Sequence, residues 1–322
     1  MRGTARDFAI DVGSATLRVL SAHAESVVRI PAIAAVDPDG RICARGSRAL
    51  AVQDRRPDGL RVVRPVAHRA VADTSVAAQL LRTALRDAAP HSRTQTAGGT
   101  VCLPDDAGSV QAQALLDVCH GAGLRHVRLV PKSLAAAAGA GIPLDEPAGA
   151  LLVDVGADRT SAAMLSFGDV ISTRGTAVGS ATVDTALMRF LRRRHGLVVC
   201  AAEAERAKVR IGESLATTGT VPVHGQDLQR GLPDTRNVPA AELARVARDT
   251  FEGIARITLS LLADSPAELV DDVVDRGLVL CGEGARLYGL EDHLRERVNI
   301  PVHVPDHPGD LGVRGAWQVG TI

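Results

Sequence analysis

The chain has 322 residues, 46% of them hydrophobic and 23% charged, which is the composition of a folded globular protein rather than a disordered one. Basic and acidic side chains each number 37, so no net charge attracts nucleic acid or an acidic membrane, and no nucleic-acid partner is expected. No apolar run reaches the roughly 20 residues that cross a bilayer. The start, MRGTARDFAI, lacks the features of a signal peptide, which predicts a cytoplasmic protein. The five scattered cysteines predict reduced thiols.

The first half of the chain alternates predicted strands and helices. Strands are predicted at FAIDV, TLRVLSA and SVVRIPAIAAV, followed by a turn at Asp37–Gly40. Residues 41–69 predict irregular structure or short strands, and the apolar spacing over Asp73–Ala89 predicts a helix. A strand TVCLP, a helix that begins at Asp105 or Asp106, a strand HVRLVP and a helix SLAAAAGAGI of small residues complete this half.

The second half repeats the alternation. Strands predicted at 150–155, 161–166 and 169–173 precede a helix TVDTALMRFLRRRHG, and a long helix is predicted from Pro239 to Leu262. The segment RGLVLCGEGARLYGLEDHLRERV predicts a strand, a glycine turn and a helix. Strand clusters and helices in two similar halves predict an α/β fold with two related lobes.

One turn occurs in both halves, in FAIDVGSATLRVL and in LLVDVGADRTSAAML. A glycine directly after a strand lets backbone N–H groups converge on a phosphate. The aspartate before it, Asp11 or Asp154, can hold Mg²⁺ through water molecules. A single turn of this kind is a weak signal, because ordinary hairpin turns use the same residues, whereas two copies on two lobes favour a clamp around a polyphosphate.

Two further motifs carry candidate ligand contacts. In LVLCGEGARL, Gly282 and Gly284 separate a strand from a helix, and they either make a tight turn or leave bare backbone against a ribose or base. In EAERAKVRIG, Glu205 and Lys208 lie on one helical face, which suits a surface ion pair or a ligand contact. Lys208 is one of only two lysines in the chain, and the other is Lys132.

Together these motifs resemble those of the actin, Hsp70 and sugar-kinase superfamily, and within it they are most similar to the bacterial actin family MreB. Segments such as HGAGLRHVRLV, AERAKVRIGES and RGLVLCGEGARLYGLEDHLRERVNIPVHV follow the order and spacing of that family. The resemblance implies an actin-like two-lobe α/β fold, each lobe a mixed β-sheet flanked by helices, with a nucleotide cleft between the lobes. It implies lobe I at 1–143 and 306–322, with a small subdomain at about 30–70, and lobe II at 144–305, with one at about 180–240.

The resemblance also implies ATP or ADP with Mg²⁺ in the cleft, bound weakly or no longer bound because the chain departs from the family pattern. Asp11 and Asp154 are the implied metal-binding residues. The implied nucleotide contacts, including those two, are Asp11, Gly13, Ser14, Ala15, Thr16, Asp154, Gly156, Ala157, Asp158, Thr160, Glu205, Lys208, Gly282, Glu283, Gly284 and Ala285.

The departures concern two segments. One is the second repeated loop, Asp154–Thr160, and the other is the glycine turn within Gly277–Leu290, which the resemblance assigns to adenosine and which is called the adenosine turn here. The family loop is D-x-G-G-G-T-T, and the corresponding segment here is DVGADRT, which keeps only the first of the three glycines. Asp158 would bring a negative charge towards a phosphate, and Arg159 either offsets that charge or points to solvent. In the adenosine turn, Glu283 replaces a glycine.

The position of the family's catalytic carboxylate has also changed. Where the family has Glu-Glu-Pro, with an acidic residue that positions the attacking water, this chain has Pro131, Lys132 and Ser133. Neither proline nor a lysine ammonium can act as the base. We therefore assign no catalytic residue and expect hydrolysis to be very slow or absent, while Lys132 could instead neutralise Asp154 or a phosphate and partly replace the metal.

Three functional hypotheses follow from the resemblance. The first is an MreB-like cytoskeletal scaffold for cell shape or cell-wall synthesis, with filaments of itself or another MreB-like protomer. The second is a non-polymerising actin-fold adaptor in a membrane-associated protein complex. The third, a small-molecule kinase, is disfavoured because Pro131 and Lys132 stand where an acidic base is needed.

Direct membrane insertion is not expected. The N-terminal amphipathic helix and the apolar loop tip that anchor the family have no counterpart, since Phe8 is the large apolar side chain of the first eight residues and the loop APHSRTQTAGG is polar. Cell-wall or membrane-complex proteins are the expected partners, and a partner would recruit the protein to the inner face of the membrane. The closing helix around Trp317 is expected to be short.

Overall fold

The described residues of the computed structural model are 6–22, 26–53, 55, 59–67, 70–90 and 97–321. The predicted polar loop APHSRTQTAGG lies largely outside the described residues, as do the first five residues of the chain. The expectations about membrane contact at these two places therefore stay predictions. Among the described residues, no helix is both long and apolar enough to cross a membrane.

Strands and helices alternate along both halves of the chain. The elements of the first half are β1 (Arg6–Val12), β2 (Thr16–Ser21), β3 (Val28–Pro31), β4 (Ala34–Val36), β5 (Ile42–Arg45), α1 (Ser47–Gln53), β6 (Arg61–Val63), β7 (Val66–Ala67), β8 (Ala70–Val71), α2 (Thr74–Ala88), β9 (Gly98–Leu103), α3 (Ser109–Ala122), β10 (His126–Pro131) and α4 (Lys132–Gly139). Those of the second half are β11 (Ala150–Val155), β12 (Thr160–Ser166), β13 (Asp169–Thr176), α5 (Ser180–His195), β14 (Leu197–Val198), α6 (Ala201–Ala216), β15 (Thr220–Asp227), β16 (Pro233–Pro239), α7 (Ala240–Ala263), α8 (Ala267–Arg276), β17 (Leu278–Cys281), α9 (Leu290–Val298), β18 (Val302–His303) and α10 (Leu311–Thr321). Short 3₁₀ turns are formed by Glu283–Arg286 and Pro308–Asp310.

Two five-stranded sheets form the centres of the two lobes. The first sheet has the strand order β10-β9-β1-β2-β3, and the second has the order β13-β12-β11-β17-β18. In each sheet the strand that carries the repeated turn, β1 or β11, is parallel to one neighbour and forms an antiparallel hairpin with the strand that follows it. The repeated sequence is therefore a repeated topology, which confirms the predicted arrangement of two related α/β lobes.

Each lobe has its own hydrophobic core and an accessory sheet. The core of the first lobe is built around Phe8, Leu80 and Leu81, and that of the second around Leu187 and Phe251, all of them buried. The accessory sheets, β5-β4-β6 and β14-β15-β16, fall within the two segments for which small subdomains are predicted. The lobe boundaries themselves stay predictions.

Helix ends follow local signals in several places. α2 begins after Asp73, whose carboxylate accepts a hydrogen bond from the Val76 N–H at 2.9 Å, as its cap position predicts. α5 ends at Gly196, which has the left-handed backbone (φ 58°) that glycine adopts without strain. The closing helix α10 has 11 residues and returns to pack against α4.

Three elements differ from the sequence predictions. α3 begins at Ser109 rather than at Asp105 or Asp106, because both carboxylates bind other parts of the fold. The predicted strand SVVRIPAIAAV is divided into β3 and β4, because the chain leaves the first central sheet there and enters the accessory sheet. The helix α1 lies inside the segment 41–69, for which no helix was predicted.

Candidate functional site

A cleft of about 230 Å³ lies where the turns after β1 and β11 meet. It is lined by residues of both turns and of the segment that follows β17. The predicted contact residues that line it are Asp11, Gly13, Ser14, Ala15, Thr16, Asp154, Gly156, Ala157, Asp158, Glu205, Gly282 and Glu283. The structure therefore brings the first turn, the second turn and the glycine turn after β17 together around one cavity.

Other predicted contact residues lie behind the cavity wall. Thr160 is buried, and its hydroxyl donates a hydrogen bond of 2.7 Å to a backbone carbonyl. Gly284 and Ala285 are buried in the 3₁₀ turn that follows β17. A Cβ on Gly284 would lie 2.4 Å from Cγ1 of Val155, so this glycine lets the turn pack closely against β11.

Lys208 and Glu205 lie in different surroundings. The Lys208 ammonium lies 2.9 Å from the Asp184 carboxylate of the neighbouring helix α5, and the Lys208 side chain is 10% exposed. Glu205, one turn earlier on α6, lines the cavity. Of this predicted pair of contacts, the structure places Glu205 at the cleft and Lys208 in an ion pair between two helices.

The two repeated turns close in the same way. The Gly13 N–H donates to the Thr16 carbonyl at 3.2 Å, and the Gly156 N–H donates to the Arg159 carbonyl at 2.9 Å. A Cβ on Gly13 would come within 2.7 Å of the Thr16 carbonyl oxygen, so the close approach requires glycine. Because both glycine N–H groups donate within their own hairpins, an anion in the cleft would contact the residues that follow the glycines in each loop.

The Lys132 ammonium lies between the aspartates of the two turns. Its Nζ is 2.9 Å from Oδ2 of Asp154 and 3.5 Å from Oδ2 of Asp11. Burial alone lowers the pKa of Lys132, but the two carboxylates outweigh it and raise that pKa above its ordinary value. The side chain therefore carries a positive charge at the centre of the cleft.

The sequence pattern predicted a different role for Asp105, which lines the cleft. Its Oδ1 accepts hydrogen bonds from the Ser133 N–H at 3.1 Å and from the Ser133 hydroxyl at 2.6 Å, in the first turn of α4. Burial raises the pKa of the Asp105 carboxyl, and the bonds from Ser133 partly offset this. The available signal was its position after β9, because β9 is parallel to β1 and the residues after both strands lie at one edge of the sheet.

The family model described as MreB/Mbl protein matches residues 5–321. The chain belongs to the MreB/Mbl family. The cell shape-determining protein Mbl of Bacillus subtilis (strain 168) is 28% identical over 309 residues, which cover 95% of this chain and 93% of the relative. The cell shape-determining protein MreB of Escherichia coli (strain K12) is 29% identical over 320 residues, which cover 97% of this chain and 92% of the relative.

Solved structures share the fold of this MreB/Mbl chain. MreB5 of Spiroplasma citri bound to AMPPNP superposes with a TM-score of 0.91 at 22% identity, covering 99% of this chain and 97% of that one. The structure described as the MamK double helical filament superposes with a TM-score of 0.80 at 18% identity, covering 98% of both chains. These likenesses confirm the predicted actin-like fold.

Charged residues that replace the MreB pattern form ion pairs across the cleft. Arg159, in the second turn, pairs with Asp106, which follows β9, and the Arg159 side chain is 19% exposed rather than extended into solvent. Glu283 pairs at 2.9 Å with Arg18 of β2, a buried arginine that the sequence pattern did not single out. Like Lys132, each of these replacements joins an element of the first sheet to an element of the second.

Proposed function

We propose that this protein is an MreB-like cytoskeletal scaffold that contributes to cell shape or cell-wall synthesis. The observation that carries the proposal is the match of the MreB/Mbl family model to residues 5–321, together with relatives described as cell shape-determining proteins. A match over both lobes favours a protein that assembles as its relatives do. The proposed working form is a filament of this chain, alone or with another MreB-like protomer, and the structural neighbour MamK is described as a double helical filament.

The proposed ligand of the cleft is ATP or ADP. MreB5 of Spiroplasma citri, which shares the fold, is described as bound to AMPPNP in one structure and to ADP in another. The residues after Gly13 and Gly156 line the cavity from both lobes, which suits a polyphosphate. The Asp158 and Glu283 carboxylates also line it. Because like charges repel, we propose that Asp158 weakens nucleotide binding, whereas the charge of Glu283 is offset by its ion pair with Arg18.

Hydrolysis of the bound nucleotide is proposed to be very slow or absent. α4 begins at the cleft with Lys132 and Ser133, and a charged ammonium cannot accept a proton from water. The Asp105 carboxylate lines the same cavity, but its Oδ1 is engaged by two hydrogen bonds from Ser133. These contacts favour a static nucleotide that supports the assembly over one that is turned over.

Recruitment to the inner face of the membrane is proposed to depend on partner proteins of a cell-wall or membrane complex. The proposal rests on the polar sequence of the loop APHSRTQTAGG. Addition of liposomes to the purified protein, followed by flotation, measures direct binding. Flotation of the protein without a partner would contradict this part of the proposal.

Sedimentation and negative-stain electron microscopy test the cytoskeletal proposal. The purified chain is incubated with ATP and Mg²⁺, with ATP and EDTA, or without nucleotide, while phosphate release is followed in parallel. We expect filaments that pellet with nucleotide, without multiple turnovers of ATP. MreB of Escherichia coli serves as the control for polymerisation. Absence of polymer in every condition would contradict the proposal and favour the adaptor hypothesis, and sustained phosphate release would contradict the loss of hydrolysis.

A further inference from the structure

The position of Lys132 bears on the metal that the family resemblance implies. Asp11 and Asp154 are the residues that would hold Mg²⁺, and they lie near the ends of β1 and β11 in different sheets. The Lys132 ammonium bridges them, at 3.5 Å from Asp11 and 2.9 Å from Asp154. Both carboxylates are therefore already paired with a cation that belongs to the chain.

Mg²⁺ does not fit this arrangement. The ion prefers octahedral oxygen ligands at about 2.0–2.1 Å and keeps much of its water shell. Between Asp11 and Asp154 the ammonium takes up that volume, and a doubly charged ion beside it would be repelled strongly in a buried site. Within the part of the chain that the structure describes, no group of three or more His, Cys, Asp or Glu side chains is arranged to hold a metal.

We propose that Lys132 is the resident cation of the cleft and takes the place of the divalent metal. This role rests on the proposed nucleotide binding and deepens it, because the ligand is then a nucleoside polyphosphate without Mg²⁺. An ammonium has three N–H donors, and two face the carboxylates, so one remains for a phosphate oxygen. The Lys132 side chain is 26% exposed against 6% for Asp11 and 9% for Asp154, so the cluster presents its cation to the cavity.

The charge balance of the cluster supports this role. Two buried carboxylates that face each other repel unless a cation lies between them. Lys132 is the first residue of α4, and the N-terminus of that helix adds positive potential at the same point. The cluster therefore needs one cation, and removal of the ammonium creates a vacancy that a divalent ion can fill.

A titration with Mn²⁺ alone tests the proposal without nucleotide, because electron paramagnetic resonance counts the free ion. The wild type is expected to bind no Mn²⁺ at the cleft. Lys132→Met leaves Asp11 and Asp154 without a cation, and it is expected to gain a Mn²⁺ site that is at least about tenfold tighter than any residual Mn²⁺ binding elsewhere on the wild type. Adding Asp154→Asn is expected to abolish that gain, which locates the ion in the cleft.

Arg174→Met is the matched control for the loss of a long cationic side chain. It removes an exposed ion pair of 2.7 Å with Asp264 in the second lobe, away from the residues that line the cleft. Its Mn²⁺ binding is expected to equal that of the wild type. A gain of Mn²⁺ binding in this control as large as in Lys132→Met would overturn the assignment of the ion to the cleft.

Titrations with ATP in Mg²⁺ and in EDTA test the consequence for the ligand. The wild type is expected to bind ATP with the same affinity in both buffers, within about threefold. Lys132→Met is expected to lose about tenfold or more of its affinity in EDTA and to regain affinity in Mg²⁺.

The outcomes separate this inference from the proposed function. Wild-type ATP binding that requires Mg²⁺, or wild-type Mn²⁺ binding that Asp154→Asn abolishes, overturns the inference and leaves nucleotide binding intact. Failure of ATP to bind in either buffer overturns the nucleotide proposal, while the Mn²⁺ titration still decides whether Lys132 holds the place of the metal. The wild-type ATP titrations in Mg²⁺ and in EDTA need no variant, so they decide the question even where Lys132→Met fails to fold.

Discussion

Asp105 caps a helix that lies far along the chain from it. α4 begins after Pro131, which offers no side-chain hydrogen bond, and the Ser133 N–H and hydroxyl both donate to Oδ1 of Asp105. This contact joins the loop after β9 to the first turn of α4. Because Lys132 is in that turn, the cap also helps to fix where the ammonium meets the cavity.

Asp105→Ala is expected to lower the free energy of unfolding by about 1–2 kcal/mol, because the acceptor for the start of α4 is lost. Asp105→Asn is the matched control, since its amide oxygen can accept the same bonds, and it is expected to retain most of the stability. Urea unfolding at neutral pH measures both differences. An alanine variant as stable as the wild type would contradict the capping role.

The same carboxyl predicts a pH dependence. Burial raises the pKa of Asp105, so the folded protein holds this proton more tightly than the unfolded chain does. The stability that the proton contributes is complete below the unfolded-state pKa of about 3.9, and it is lost as the pH rises through the folded-state pKa. Because Asp105→Asn cannot ionise, its stability relative to the wild type is expected to rise as the pH increases from the unfolded-state pKa through the folded-state pKa. Urea unfolding across this range measures the difference, and a constant difference would show that the environment of the carboxyl does not penalise its charge.

At the scale of elements, α4 and α10 pack backbone against backbone. A Cβ on Gly315 would lie 1.6 Å from the Ala135 carbonyl oxygen, and one on Gly139 would lie 2.1 Å from the Leu311 carbonyl oxygen. The glycines let the two helices approach with no side chain between them. Since α4 also carries Lys132, this packing positions the cation of the cleft.

Gly315→Ala is expected to lower the free energy of unfolding by about 1–3 kcal/mol, because the overpacking outweighs the roughly 1 kcal/mol by which alanine favours a helix over glycine. Gly312→Ala in the same helix is the matched control. Its Cβ would meet Sγ of Cys102 at 3.6 Å, an ordinary contact, so it is expected to be at least as stable as the wild type. Thermal unfolding compares the two variants. Equal stability of both would mean that the helices can separate at little cost.

Elements and loops were predictable from the sequence where their signals are local. The helix α2 follows from apolar spacing and a capping aspartate, and both glycine turns follow from the strands before them. The start of α3 was predicted wrongly because Asp105 and Asp106 have the side chains of caps but bind residues distant in sequence. The partners of Arg159 and Glu283 were not predicted either, because they depend on how the two lobes face each other.

At the scale of the whole molecule, charges of the protein itself bridge the cleft. The Arg18–Glu283 and Arg159–Asp106 pairs each join the two lobes, as does Lys132. In a clamp that is held by its ligand, the lobes separate when the ligand leaves. Here the bridging groups are permanent, so we expect the lobes to stay together in the ligand-free protein.

The double variant Arg159→Thr/Glu283→Gly, which restores the family pattern, is expected to let the ligand-free lobes separate. Each pair contributes up to about 1 kcal/mol, so losing both shifts the balance between closed and open lobes roughly 5–30-fold. Small-angle X-ray scattering measures this as a larger radius of gyration. The wild type in about 1 M salt is expected to expand by a similar amount, because the screening length for interactions between charges is then only about 3 Å.

Arg174→Met is the control for this experiment, because its pair with Asp264 lies within the second lobe, and its radius is expected to equal that of the wild type at the same salt. A double variant with the wild-type radius would contradict the bridging role of the charges. The lobes would then be held by apolar contact instead, since Ala136 and Ala137 of α4 share a buried cluster with Leu152 of β11. High salt screens ion pairs but does not weaken apolar contact, so comparing the wild type at low and high salt separates the two causes of closure.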